Sequence, residues 1–321
     1  MGCTISMKLI NGIKETSLLP ERVVATIGNF DGVHRGHQAL IEVLHKQAIR
    51  LQCPLLVIIF EPQPGEYFHS QHAPVRLTSL REKLMALKKF SVDFVCCLKF
   101  NAELAHMPAE QFAEQVIFNS LNVKYLLSGA DFRFGRDRLG DADLLAKIGK
   151  RYDAITETFP DFMIESGRIS STGIRLALQN GNFDQAELCL GRSYSICGRV
   201  IRGDGRGRKW GIPTANIALK RRILPLNGVY SVMINRPRNN SVYYGVANIG
   251  CRPTIEGQQK INLEVHLLDF DESLYNERLE VKFINKLRDE KKFSSVNELI
   301  AQIHHDIAKA RNIFSATIHA D

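Results

Sequence analysis

The chain has 321 residues, with 42 Lys and Arg against 34 Asp and Glu, and so a formal charge of +8. Its hydrophobic fraction of 45% and charged fraction of 24% are those of an ordinary globular protein, which excludes wholesale disorder, collagen-like repeats and a disulfide scaffold. At roughly 150 residues per domain, two hydrophobic cores are expected.

No apolar run approaches the roughly 20 residues needed to cross a bilayer; the longest, Leu55–Phe60, has the length of a strand. No basic stretch leads into an apolar segment with a small-residue cleavage site, so the expected location is cytoplasmic, with no membrane partner. Cys3, Cys53, Cys96, Cys97, Cys189, Cys197 and Cys251 include no CxxC pair, which argues against a zinc ribbon or a thioredoxin-like redox pair. Met1-Gly2-Cys3-Thr4-Ile5-Ser6 matches the N-myristoylation pattern, a six-residue match that also arises by chance.

In chain order, Arg22–Ile27 reads as a strand that breaks at Gly28, and a helix follows over His37–Leu51. Leu55–Phe60 is a strand stopped by Pro62. A helix near Ser79–Lys89, a strand near Asp93–Leu98, a helix over Pro108–Ser120 and a strand over Lys124–Ser128 complete the alternation. That alternation predicts a doubly wound α/β parallel sheet in a domain spanning 1–185. The join falls in Gln179–Arg192, where Asn180-Gly181 breaks one helical run and Phe183–Leu190 starts another.

The remaining 186–321 change character. Ser195–Arg202, Gly228–Ile234, Tyr243–Ile249, Asn262–Leu268 and Leu279–Asn285 are β-rich runs with glycines and prolines between them. They predict a small antiparallel β-barrel. A closing helix is marked by a capping box of Ser295 and Glu298, with Val296, Leu299, Ile300, Ile303 and Ile307 on one apolar face.

Gly28-Asn29-Phe30-Asp31-Gly32-Val33-His34-Arg35-Gly36-His37 spans the passage from the first parallel strand to the first helix. Doubly wound sheets place ligands at such carboxyl ends of strands. Free N–H groups at a helix start attract phosphate, and glycine lets the backbone approach it. His34 and His37, three positions apart, can reach one phosphate and stabilise the charge that builds up in transfer. Taken alone, such a pair also fits solvated helix-start residues, and a metal site would lack a third ligand at a recognisable spacing. Gly129-Ala130-Asp131-Phe132-Arg133-Phe134-Gly135 follows a strand and mixes glycine, aromatics and charge. Ile169-Ser170-Ser171-Thr172-Gly173-Ile174-Arg175 sets hydroxyls and a cation at a helix start, where Ser171-Thr172 alone also fits an ordinary N-cap.

These residues resemble the HxGH signature of the nucleotidylyltransferase superfamily. The three segments together resemble the FMN adenylyltransferase module of the prokaryotic bifunctional riboflavin kinase/FAD synthetases. The resemblance implies that residues 1–185 convert FMN and ATP to FAD and pyrophosphate, with His34 and His37 catalytic. It also implies Gly28, Asn29, Phe30, Gly36, Ser171, Thr172 and Arg175 on ATP and its phosphates, and Asp131 and Phe132 on flavin or nucleotide. The attacking phosphate of FMN is already anionic, so the chemistry asks for cations and N–H dipoles rather than a general base.

Gly203-Asp204-Gly205-Arg206-Gly207-Arg208-Lys209 has a glycine spacing that is no dinucleotide fingerprint, because basic residues fill the gaps and no helix is expected after it. It continues as Trp210-Gly211-Ile212-Pro213-Thr214-Ala215-Asn216. Alone it also fits a basic surface loop. In Asn262-Leu263-Glu264-Val265-His266-Leu267 the alternation puts Glu264 on one face with Asn262 and His266, which a solvated strand face would also explain.

These segments resemble the riboflavin kinase module of the same family. So do Leu226-Asn227-Gly228-Val229-Tyr230, Gly245-Val246-Ala247-Asn248-Ile249-Gly250, Arg252-Pro253-Thr254 and Leu287-Arg288-Asp289-Glu290-Lys291-Lys292-Phe293. The resemblance implies that residues 186–321 phosphorylate riboflavin with ATP to give FMN. Glu264 is then the catalytic base, Gly205, Gly207 and Arg208 form the ATP lid, Thr214 and Asn216 hold Mg2+, and Arg288 and Glu290 contact flavin. A ribityl hydroxyl is a poor nucleophile until its proton is accepted, so a positioned carboxylate suits the reaction. Gly173, Ile212, Asn276 and Ala130 depart from the family pattern; Gly173 stands where an arginine is common, which would weaken ATP binding at the adenylylation site.

The expectation is a multifunctional transferase of flavin biosynthesis, a kinase and nucleotidyltransferase together, with flavins as substrate and product. It works with ATP, riboflavin and FMN, without nucleic acid, as a monomer or weak homo-oligomer. A kinase with a weakened adenylylation half, a flavin sensor that leaves ATP unconsumed, and a nucleic-acid module resting on the +8 charge are the competing readings.

Overall fold

The computed structural model describes residues 7–69, 72–165, 167–221, 223–253 and 259–318. The Met1–Ser6 pattern and Thr254 of the Arg252-Pro253-Thr254 motif lie outside these residues. The chain divides into two compact units, Met1–Pro74 with Leu80–Ser170, and Val75–Ser79 with Ser171–Asp321. The helical stretch that holds the expected join groups with the second unit.

The first unit is built on six parallel strands: β1 (Lys8–Asn11), β2 (Val23–Ile27), β3 (Leu55–Glu61), β4 (Phe94–Lys99), β5 (Val123–Gly129) and β6 (Ile155–Phe159), in the order β1-β4-β3-β2-β5-β6. A separate antiparallel pair, β7 (Met163–Ile164) and β8 (Gly167–Arg168), follows them. Strands β1 and β6 were not expected. The first is a four-residue edge, and the second has only exposed and half-buried positions instead of an apolar run.

Alternate residues of the central strands feed two separate cores. Val23, Ala25 and Ile27 with Leu56, Ile58 and Phe60 face α3 (Ala109–Gln111, continuing with wider π-helical bonding as Phe112–Ser120) and α4 (Ala142–Arg151). Val24 with Leu55, Val57 and Ile59 faces α1 (Arg35–Leu51) and α2 (Leu80–Lys88). Burial on both faces is what a doubly wound parallel sheet requires, and it explains why β3 reads as a continuous apolar run. Truncating a fully buried residue such as Ile58 to alanine costs about 2–5 kcal/mol. Pro108 serves as N-cap of α3 rather than as its first helical residue.

The second unit opens with α5 (Ser171–Gln179) and α6 (Phe183–Leu190), which pack together. Gly181, at φ 71°, makes the break between them, and the Asn182 side chain caps α6 by accepting from Gln185 N at 3.0 Å. Six antiparallel strands then close a barrel: β9 (Ser195–Ile201), β10 (Ala215–Ala218), β11 (Gly228–Arg236), β12 (Ser241–Pro253), β13 (Gln259–Leu267) and β14 (Arg278–Arg288), ordered β10-β13-β12-β11-β14-β9. Closure through β10, a four-residue strand too short to show a pattern, satisfies both barrel edges.

α7 (Val296–Ile318) packs Ile307, Ala310, Ile313 and Phe314 against the barrel wall. Val296, expected on that face, is exposed because it precedes the first packed turn. The cap is also displaced: Ser295 Oγ accepts from Glu298 N at 3.2 Å, but the Glu298 carboxylate turns back to Ser294 N at 3.0 Å.

Candidate active sites

In the first unit the strand order reverses between β2 and β5, and the Gly28–His37 loop leaves the carboxyl end of β2 at that switch point. The loop is tightly wound. Phe30 (φ 47°), Gly32 (φ 82°) and Val33 (φ 43°) all adopt left-handed backbone, which a β-branched residue takes only under constraint from its surroundings. Gly28 N donates to Ile58 O at 3.1 Å, anchoring the loop to β3.

His34 is the N-cap of α1, where its Nδ1 accepts from His37 N at 3.4 Å. An accepting Nδ1 leaves the neutral ring's proton on Nε2. The two imidazoles stack with centroids 3.7 Å apart and planes 19° off parallel, and Phe30 packs on the other side of His37 at 4.6 Å. Burial first, then the charges of His34 and Lys83, holds His37 well below the ordinary histidine range. The ring is therefore neutral at neutral pH, and its buried Nδ1 has no hydrogen-bond partner among the described residues. Gly36 lies against this stack, and a Cβ there would crowd the His34 ring at 3.2 Å from Nδ1.

Gly28, Asn29, Phe30, Gly36, His34 and His37 thus form one cluster at the head of α1. Asp131 follows β5, the neighbour of β2, and pairs through its exposed carboxylate with Arg168, which also reaches Asp161 at 3.0 Å. Phe132 stacks on Phe134 (5.5 Å, 13°) and lines a cavity of about 570 Å³ with Phe60, Phe68, Phe100 and Phe112. Ser171, Thr172 and Arg175 head α5 in the second unit, where Arg175 Nε donates to the Val75 carbonyl.

Sequence reasoning passed over Lys83. It is completely buried in α2 and donates to Asn29 O at 2.5 Å. The signal was available, because Lys83 falls in the stripe of Leu80, Leu84 and Leu87, where a helix facing a core carries apolar residues.

The second site is a cavity of about 370 Å³ in the barrel unit, lined by Gly205, Gly207, Trp210, Thr214, Asn216 and Glu264 on one side and by Arg288, Glu290 and Phe293 on the other. Glu264 on β13 lies opposite Asn216 on β10 and Asn248 on β12. Asn262 Nδ2 donates to Glu264 Oε1 at 2.6 Å and approaches Asn216 Oδ1 at 3.4 Å, so one amide orients both side chains. His266 Nδ1 lies 2.8 Å from Pro213 O, holding the start of the Pro-Thr-Ala-Asn segment.

The glycine-rich stretch contains one helical turn, Arg206–Lys209, where no helix was expected. A Cβ on Gly207 would lie 2.4 Å from Ile212 O and 3.4 Å from Thr214 Oγ1, so only glycine lets this turn close over Thr214. Arg208 is exposed and does not line the cavity. Arg288 is held by Asp306 of α7, with Nε 2.9 Å and Nη2 2.9 Å from Oδ2, and its guanidinium lies 5.7 Å from the Phe293 ring centroid. Glu290 covers Gly250 so closely that a Cβ there would meet its Oε1 at 2.1 Å.

Comparison with known proteins agrees with this division. The FAD synthetase family model matches residues 17–173 and the riboflavin kinase model matches residues 190–314. A bifunctional riboflavin kinase/FMN adenylyltransferase of Haemophilus influenzae is 44% identical over 97% of this chain and 100% of its own length. Its counterpart in Escherichia coli K12 is 45% identical over 97% and 99%. A solved chain from Streptococcus pneumoniae, described as a macrolide-efflux protein, superposes with a TM-score of 0.79 at 31% identity, over 96% of this chain and 99% of that one. Among the described residues here, no helix is long and apolar enough to cross a membrane. By both family models and by identity along nearly its whole length, the chain belongs to the bifunctional riboflavin kinase/FMN adenylyltransferase family.

Proposed function

We propose that the two sites work in series on one flavin and assign the chemistry to the residues described above. The enzyme phosphorylates riboflavin with ATP to FMN and ADP in the barrel unit, and adenylylates FMN with a second ATP to FAD and pyrophosphate in the parallel-sheet unit. The observation that carries this reading is the difference in donor sets: a carboxylate oriented by an amide in one cavity, a stacked pair of imidazoles at a helix start in the other.

In the barrel, Glu264 accepts the proton of the ribityl hydroxyl as its oxygen bonds to the terminal phosphorus of ATP and the bond to ADP breaks. Thr214 Oγ1 and Asn216 Oδ1 are hard oxygen donors lining the same cavity as Glu264, and the close approach of Gly207 to Thr214 leaves a small cradle there. These residues fit Mg2+, which when bound neutralises charge on the ATP phosphates. Gly205 and Gly207 close over the nucleotide, while Arg288, Glu290 and Phe293 border the flavin.

In the parallel-sheet unit, an FMN phosphate oxygen bonds to the α-phosphorus of ATP and pyrophosphate departs. His34 and His37 supply hydrogen-bond donors to the charge that develops, and the N–H groups of the Gly28–Gly36 segment receive phosphate. Ser171, Thr172 and Arg175, at the head of α5, are assigned to ATP on the family resemblance of their segment. The aromatic cavity containing Phe132 takes the isoalloxazine ring, and Asp131, the residue before Phe132 in the chain, contacts flavin or nucleotide. ATP, riboflavin and FMN are the partners of a cytoplasmic monomer or weak homo-oligomer that binds neither nucleic acid nor membrane.

Incubating the protein with riboflavin, ATP and Mg2+ and resolving flavins by chromatography over time tests the scheme. FMN followed by FAD is expected. FMN alone would leave a kinase only, and unchanged riboflavin would refute both halves.

A further inference from the structure

We propose that Lys83 is a positioning residue for adenylyl transfer, tying back the Asn29 carbonyl so that N–H dipoles of the Gly28–His37 loop, rather than its carbonyl oxygens, meet the nucleotide phosphates. This rests on the adenylyltransferase reading of the loop.

A trans peptide is planar, with its C=O and the following N–H pointing in opposite directions. Holding Asn29 O against the Lys83 ammonium at 2.5 Å therefore aims the Phe30 N–H away from α2. Two further loop carbonyls are also taken up: Phe30 O accepts from Val33 N at 3.3 Å, and Val33 O accepts from Gln38 Nε2 at 2.9 Å. Left-handed backbone at Phe30 and Val33 persists only where neighbours over-determine it, and the bond from Lys83 to Asn29 O ties this segment to α2.

The burial of Lys83 makes the case stronger. A fully buried ammonium is costly to keep in a helix stripe where Leu80, Leu84 and Leu87 pack, and a methionine would fill the same volume without that cost. A charge retained there acts on something. The groups facing the His37 ring are His34 from the same turn and Lys83 from α2, and both oppose protonation of His37. Protonated His37 would place a second positive charge near the Lys83 ammonium in a buried site. Lys83 thus orients an anion-binding dipole and adds to the burial that keeps the imidazole of His37 neutral.

The test uses the full chain with Lys83→Met and Lys83→Arg. FAD formation from supplied FMN is followed against pH, and the His37 ring is titrated by NMR. Lys83→Met is expected to lower kcat at least about tenfold while KM for FMN moves less than about threefold. It should also move the acidic limb of the profile, and the NMR midpoint of His37, upward by about one pH unit. Lys83→Arg restores the charge, so its His37 midpoint stays at the wild-type value while kcat recovers only in part. Should Lys83→Met fail to fold, the arginine variant still decides through its midpoint. A wild-type pH profile and His37 midpoint in Lys83→Met, or a shifted midpoint in Lys83→Arg, would overturn the inference. His37→Ala run beside them separates the two readings, because full activity there removes the adenylyltransferase assignment itself.

Discussion

The two sites of this chain handle the same cosubstrate with opposite equipment, and the nucleophile explains why. In the barrel the attacking group is a neutral hydroxyl, and the cavity offers Glu264, fixed by the 2.6 Å bond from Asn262. In the parallel-sheet unit the attacking phosphate arrives ionised. There the loop offers neutral rings and N–H groups, Asp31 is buried in the loop, and Asp131 is tied to Arg168. A free carboxylate beside two anionic substrates would repel both. Each site carries what its nucleophile lacks.

Substitutions that exchange these features should act on one reaction only. Glu264→Gln keeps the shape and the amide contact but removes the base, so riboflavin phosphorylation should fall by about 10²–10⁴. FAD formation from supplied FMN should stay within about twofold of wild type, and a chromatographic assay of each half-reaction reads both values. The mirror experiment is His37→Ala. Loss of one preorganised donor to developing charge costs about 10²–10³ in kcat, so FAD formation should drop by that factor while FMN formation persists. An equal loss of both activities in either variant would mean that the two sites are not chemically independent.

The sequence made the two sites unequally legible. The Gly28–His37 loop is continuous in the chain, and its glycines, histidines and place after an apolar strand could all be read directly; α1 begins at Arg35, two residues from the expected start. The barrel site draws on separated segments. Glu264 and Asn216 meet only because β10 pairs with β13, and β10 itself is too short to carry a period. Arg288 shows the same limit: its ion pair with Asp306 joins a strand end to a helix 18 residues on, and no local pattern forecasts it. Lys83 was visible as a charge in an apolar stripe, but its target, Asn29, lies 54 residues away.

A smaller effect separates packing from chemistry at the barrel mouth. Tyr230 is buried at the start of β11, where its hydroxyl donates to Asn227 O at 2.7 Å and accepts from Asn227 N at 2.9 Å, closing the turn before Gly228. Burial pushes its hydroxyl up to about 12, so it remains protonated at any working pH. Tyr230→Phe leaves both Asn227 groups without their partner and should destabilise the barrel unit by about 1–3 kcal/mol in urea unfolding. FAD formation from FMN should be unchanged where the variant is folded.

The smallest effect is expected at Asp131, and its size discriminates between a ligand contact and a surface pair. The Asp131 side chain is 73% exposed, and its bond with Arg168, followed by the charge of Arg168, holds its carboxyl below the usual aspartate range. The carboxylate is therefore ionised above about pH 4, and whatever the pair contributes to stability is present there and fades only as pH falls further. Exposed pairs contribute about 0–1 kcal/mol because water screens them. If Asp131 only forms its surface pair with Arg168, Asp131→Asn should change KM for FMN by less than about fivefold, with a ratio to wild type that is flat from about pH 5 to about pH 9. A larger loss confined to KM would instead give Asp131 a direct bond to the substrate, with Arg168 released to do the same.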